Sequence, residues 1–126
     1  MTYQISILGS TGSIGKTLIK ILLKEKKIFK VSLLTADKNY KTILNQARKL
    51  NTKNVIISDK KSYHKALKFN KSKKIKIYNN YDHLKKIFIN KNDYVMSSIS
   101  GINGLYPTLK VIKFTKSIAI ANKESI

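Results

Sequence analysis

The sequence has no cysteine, one proline and only five glycines in 126 residues. Without cysteine it can form neither a disulfide framework nor a thiolate metal site, and a reducing compartment suits it, so the cytoplasm is the expected location. Acidic residues are nearly as scarce. Glu25, Asp37, Asp59, Asp82, Asp93 and Glu124 are all there are, and no two form a closely spaced pair of the kind that binds magnesium or manganese. No metal ligand can be named, and His64 and His83, in lysine-rich segments, read as surface residues. Long apolar runs are also missing. No stretch reaches membrane-spanning length, and residues 1–9 enter a strand at once instead of forming a basic leader with an apolar core, so neither membrane association nor secretion is expected.

What the chain has in excess is lysine. Its 26 basic residues, of which only Arg48 is an arginine, give a formal net charge of +20. Clustered lysines release counterions from a phosphate backbone, which makes a nonspecific nucleic-acid module one alternative reading. Against it, arginine is the side chain suited to bidentate contacts, and the lysines run through almost every segment together with abundant isoleucine and asparagine. That is the pattern of A- and T-rich codons filling surface positions, and a solvated cationic surface is the expected result.

Short β-branched runs at residues 4–8, 30–35, 54–58, 75–78, 94–98 and 117–121 alternate with longer stretches of helical period. This is the sequence form of repeated βαβ units. The expected fold is α/β, a doubly wound, Rossmann-type, mostly parallel sheet with helices on both faces, in one domain over residues 1–126. Tyr40, Ile43, Leu44, Ala47 and Leu50 mark the clearest helix. A helix over 13–25 is expected to turn Ile14, Leu18, Ile21 and Leu22 inward. Weaker helices are expected at 62–69 and 81–89, and a last one at 105–114 with Pro107 in its first turn, where a missing N–H costs nothing.

The five glycines fall in two loops. GSTGSIG, residues 9–15, joins the first strand to the first helix with the spacing GxxGxxG. In a dinucleotide fold such glycines permit a tight turn, close approach of backbone to a pyrophosphate, and close packing of helix on strand. The helix N-terminus then offers free N–H groups to phosphate, and Thr11 and Ser13 add hydroxyls. Gly15, Lys16 and Thr17 match the end of a nucleoside triphosphate P-loop, but Ser10 stands where its first glycine belongs. After the second strand, ADKN (residues 36–39) sets Asp37 beside Lys38; an acid there accepts from a ribose 2′-hydroxyl, whereas a cation accommodates a 2′-phosphate, so spacing leaves NAD and NADP both open. The second loop, SISGINGLYPT (residues 98–108), brings Gly101 and Gly104 to the same sheet edge. Residues 118–126, IAIANKESI, end with Asn122, Lys123, Glu124 and Ser125 after a strand.

Taken together, GSTGSIG, ADKN, ISGINGLYPTL and ANKES, in that order, resemble 1-deoxy-D-xylulose 5-phosphate reductoisomerase, the NADPH-dependent enzyme family of non-mevalonate isoprenoid synthesis. The resemblance runs from Ile5 to the last residue and is least distinctive at residues 51–92. It implies that Thr11, Gly12, Ser13 and Ile14 contact the NADPH pyrophosphate and adjoining groups, and that Lys38 and Asn39 hold the 2′-phosphate end. It further implies that Asn122 and Glu124 bear on the nicotinamide half and Lys123 on the sugar phosphate substrate. The family usually has glycine where this chain has Asp37. A carboxylate repels a 2′-phosphate, which leaves the preference between NADPH and NADH open.

In the family, ANKES leads into a second domain that binds a divalent metal, magnesium or manganese, and the full-length enzyme is expected to be homodimeric. The chain therefore reads as the amino-terminal NADPH-binding portion, with no catalytic residue of its own, binding cofactor weakly and turning nothing over alone. Another GxxGxxG reductase would need a catalytic cysteine, which is absent, or a YxxxK pair. Tyr81 with Lys85 lies in a weak outer helix by this reading, and Tyr106 with Lys110 follows a glycine loop.

Overall fold

The computed structural model describes residues 2–99 and 101–120. Six strands, β1 (Tyr3–Leu8), β2 (Phe29–Ala36), β3 (Asn54–Ile57), β4 (Lys76–Tyr78), β5 (Asn92–Ser97) and β6 (Thr115–Ile120), alternate with five helices: α1 (Ser13–Lys24), α2 (Tyr40–Leu50), α3 (Lys60–Phe69), α4 (Leu84–Ile87) and α5 (Leu105–Val111). The strands form one sheet in the order β4-β3-β2-β1-β5-β6, and every neighbouring pair is parallel. The chain winds outward from β1 to β4, then returns to lay β5 against the other side of β1. This reversal is the switch point of a doubly wound sheet, where the loops after β1 and β5 part and leave a crevice.

Parallel strands need cover on both faces, and their sequences show it. On one face α1, α2 and α3 pack Ile19, Leu22, Ile43 and Ala47 against Ile7, Leu34, Val55 and Ile57. On the other, Tyr81, Leu84, Phe88 and Val111 pack against Leu8, Leu33, Ile56 and Val95. Val31 and Leu34 share a face although three residues apart, because Ile5 pairs with Val31 and Ser6 with Leu33. The extra residue, Ser32, resets the alternation as a β-bulge does.

Several details differ from the sequence expectation. Gly15, Ile19 and Leu22 form the buried line of α1, while Ile14 and Ile21 are 40% and 53% exposed. Gly15 lets the helix lie so close to the turn that the contact line runs through 15, 19 and 22; Leu18 still packs against the core from its edge, and Ile14 and Ile21 fall on the flank. The helix expected at 81–89 shrinks to the single turn Leu84–Ile87. Asn80 Oδ1 accepts from the Asp82 N–H at 3.0 Å, a local bond that competes with helix. Tyr81 is buried in the core rather than on an outer helix. The last helix ends at Val111, and Ile112–Phe114 tighten into a 3-10 turn.

α3 starts two residues earlier than its apolar period indicates because Asp59 caps it. Asp59 Oδ2 accepts from the Ser62 N–H at 3.0 Å and from Ser62 Oγ at 2.8 Å. The Ser62 hydroxyl, then its amide, hold the carboxyl below its ordinary pKa. A folded pKa lowered in this way stabilises the fold above the unfolded carboxyl pKa, and the contribution is lost as pH falls through the folded value. Asp59→Ala is expected to lower the melting temperature at neutral pH. The gap from wild type should narrow as pH drops below the carboxylate range, which thermal melts at a series of pH values would check.

Candidate cofactor-binding site at the switch point

The turn after β1 is built on hydrogen bonds to β2. Leu8 pairs with Thr35, and the turn follows this register. The N–H groups of Gly9 and Ser10 donate to the Thr35 carbonyl at 3.1 and 2.9 Å, and Gly9 N–H also donates to Thr35 Oγ1 at 3.0 Å. From the other side Ser98, just past β5, donates its hydroxyl to the carbonyls of Leu8 and Gly9, both at 2.9 Å. α2 supplies the third anchor. Ser10 Oγ donates to Gln46 Oε1 at 2.7 Å, and Gln46 Nε2 returns a bond to the Ser10 carbonyl at 3.0 Å. Gln46 is only 7% exposed, so these partners have no water to replace them. Gln46→Leu is expected to cost about 2 kcal/mol, since it strands a buried hydroxyl and carbonyl; urea unfolding would measure it.

The three glycines of the turn do different things. Gly9 has φ +77°, which a side chain resists, and an added Cβ would lie 2.9 Å from Ile99 Cγ1. At Gly15 an added Cβ would overlap the Gly9 carbonyl oxygen and stand 2.6 Å from the Ser10 backbone. Gly12 is different. Its φ of −77° and ψ of 177° suit any residue, and a Cβ there meets nothing nearer than the Gly9 oxygen at 3.8 Å. Among the described residues nothing crowds the space above Gly12.

That opening lies at the start of α1. The first-turn amides of a helix have no partner within it, no side chain caps them here, and the first turn holds no acid. Gly12, Ser13 and Ile14 are exposed and Thr11 is 9% exposed. Exposed amides, positive dipole and open space form a cradle that suits an anion. The ends of β2 and α2 border it. Asn39 occupies the N-cap position of α2 without capping it; its Nδ2 instead donates to Thr11 Oγ1 at 3.4 Å, and Lys38 beside it is exposed. The structure thus brings Thr11, Gly12, Ser13, Ile14, Lys38 and Asn39 to one edge. Asn122, Lys123 and Glu124 lie outside the described residues.

Thr35, Gln46 and Ser98 were not singled out by the motifs. Gln46 had no clear signal, since at helical spacing it falls about 40° outside Leu50, on the rim of the apolar face. Thr35 and Ser98 had none beyond standing at strand ends.

Other features do not compete with this edge. A cavity of about 1000 Å³ lies between α2 and the α3–β4 connection, lined by Lys41, Arg48, Lys68 and Lys71. It touches no glycine of the turn. No group of three acidic, histidine or cysteine side chains that would hold a metal occurs among the described residues. Tyr81 is 8% exposed and sits in the core; burial pushes its phenol up to about 12, partly offset by a hydrogen bond with Thr35. Tyr106 is 58% exposed, with the Lys110 ammonium over its ring at 5.6 Å.

The family model described as 1-deoxy-D-xylulose 5-phosphate reductoisomerase matches residues 5–126. The chain belongs to the 1-deoxy-D-xylulose 5-phosphate reductoisomerase family. The reductoisomerase of Pelagibacter ubique is 54% identical over 98% of this chain and 32% of the relative. That of Wolbachia pipientis is 40% identical over the same shares. Among solved structures, the Zymomonas mobilis reductoisomerase in complex with NADPH superposes with a TM-score of 0.87 at 30% identity, covering 99% of this chain and 33% of its own. A reductoisomerase in complex with NADPH, fosmidomycin and magnesium gives a TM-score of 0.83 at 26% identity over 98% of this chain and 31% of its own. The chain thus spans about a third of the length of the reductoisomerases it matches. No helix among the described residues is long and apolar enough to cross a membrane.

Proposed function

We propose that this chain is the NADPH-binding portion of a cytoplasmic 1-deoxy-D-xylulose 5-phosphate reductoisomerase. The whole protein then converts 1-deoxy-D-xylulose 5-phosphate to 2-C-methyl-D-erythritol 4-phosphate in non-mevalonate isoprenoid synthesis. The observation that carries the reading is the open space over Gly12 at an uncapped helix start, on the edge that also holds Lys38 and Asn39. NADPH, when bound, supplies the hydride that reduces a carbonyl. The chain's own part is to hold and aim it. The amides of Gly12, Ser13 and Ile14 receive the pyrophosphate, and Lys38 with Asn39 takes the 2′-phosphate end. The switch-point crevice sets the nicotinamide over the ends of β5 and β6; as the resemblance implies, Asn122 and Glu124 bear on that half of the coenzyme and Lys123 contacts the sugar phosphate substrate.

Among the described residues no acidic and histidine side chains gather to fit a divalent metal, so metal binding and turnover are assigned to the additional length of the full family protein, which we take to be a homodimer. The chain alone should bind coenzyme and give no turnover with substrate, NADPH and magnesium. The test is a fluorescence titration of NADPH with the chain, repeated with added salt and with duplex DNA as competitor. A saturable single-site change that DNA does not displace supports the reading. No coenzyme signal, together with DNA binding that collapses steeply with salt, would mean a basic nucleic-acid module instead.

A further inference from the structure

The end of β2 carries two exposed side chains of opposite meaning. A carboxylate at this place accepts from the 2′-hydroxyl of NADH, and a cation receives the 2′-phosphate of NADPH. Asp37 and Lys38 are adjacent, so the sequence alone states both preferences at once. The geometry separates them. Ala36 pairs with Ile57, which brings Ser58 alongside Asp37, and Ser58 Oγ donates to Asp37 Oδ1 at 2.9 Å. The backbone fixes the same approach, with Ser58 N–H on the Ala36 carbonyl at 3.0 Å and Asp59 N–H on the Asp37 carbonyl at 3.1 Å.

In the sheet order, β3 and β1 flank β2 on opposite sides. The Asp37 carboxylate is therefore drawn toward β3, whereas Asn39 reaches toward β1 and Thr11. The other acid close by, Asp59, is committed to Ser62. Among the described residues Lys38 has no carboxylate within ion-pair distance. Asp59 feels its charge at longer range, but no ion pair neutralises it, and an anion can still claim it.

We propose that the Ser58–Asp37 hydrogen bond sets coenzyme preference: Ser58 is a positioning residue that parks the carboxylate on the β3 side, and Lys38 then faces the 2′-phosphate. The proposal rests on the cofactor reading above. It explains how a chain with an acid at the NADH-selecting place retains NADPH.

The test uses two probes that differ by one group, adenosine 2′,5′-bisphosphate and adenosine 5′-monophosphate, titrated calorimetrically into the chain and its variants. In Ser58→Ala the freed carboxylate can swing toward the phosphate, and affinity for the bisphosphate should fall about fivefold with the monophosphate unchanged. Asp37→Asn carries no charge to park, so Ser58→Ala added to it should have no further effect. Both side chains are exposed, and melting curves of all variants should coincide. Equal weakening of both probes in Ser58→Ala, or no weakening of either, would overturn the proposal. So would a double variant that binds the bisphosphate less well than Asp37→Asn. Wild-type chain that binds neither probe would overturn the cofactor reading along with it.

Discussion

Gly12→Val is expected to weaken coenzyme binding about a hundredfold and leave the fold standing. The backbone there is extended and tolerates a side chain, and among the described residues a Cβ enters space where it makes no more than an ordinary contact with the Gly9 oxygen, so the stability cost is that of a poorer N-cap, about 1 kcal/mol. That same space is where a pyrophosphate must come within hydrogen-bond distance of the α1 amides. A valine would hold it off and forfeit two or so charge-assisted bonds, together about 3 kcal/mol, or roughly a hundredfold in affinity. Coenzyme fluorescence titration beside a thermal melt would measure both. A variant that binds NADPH as wild type does would remove Gly12 from the site.

Gly15→Val should show the reverse order of effects, with the fold failing first. Its Cβ would collide with the carbonyl oxygen of Gly9 and the backbone of Ser10, neither of which can rotate away as a side chain would. Both are themselves tied down, Ser10 by Thr35 and Gln46 and Gly9 by Thr35. Overpacking against fixed backbone costs at least about 3 kcal/mol, a large share of a typical domain's stability, and should lower the melting temperature by roughly 12 °C. A circular-dichroism melt suffices. Two glycines three residues apart in one motif thus have separable roles, one toward ligand and one toward packing.

How much of this was legible beforehand depends on whether a feature is local. The six strands could be read because Val, Ile and Leu runs buried on both faces leave little else to be, and α2 because Tyr40, Ile43, Leu44 and Ala47 repeat at helical spacing. The glycine turn could be read because Gly9 and Gly15 answer steric demands of the turn itself. What failed needed the third dimension. Ile14 and Ile21 have the spacing of an inward face, but the closeness that Gly15 permits rotates the contact line past them. Tyr81 looked like part of an outer helix, and Asn80 breaks that helix by a bond no periodicity shows. Gln46 and Ser98 anchor the turn across 36 and 89 or more residues, and Ser58 meets Asp37 only because β2 and β3 pair in register. The sheet edge gathers these side chains; the linear order scatters them.

The most direct test is an amide-resolved NMR titration of the ¹⁵N-labelled chain with NADPH. The account predicts that the largest shifts fall on the N–H groups of Gly12, Ser13 and Ile14, with a second set at Lys38 and Asn39. Shifts confined to the lysine-lined cavity between α2 and α3, with the glycine turn unmoved, would contradict it.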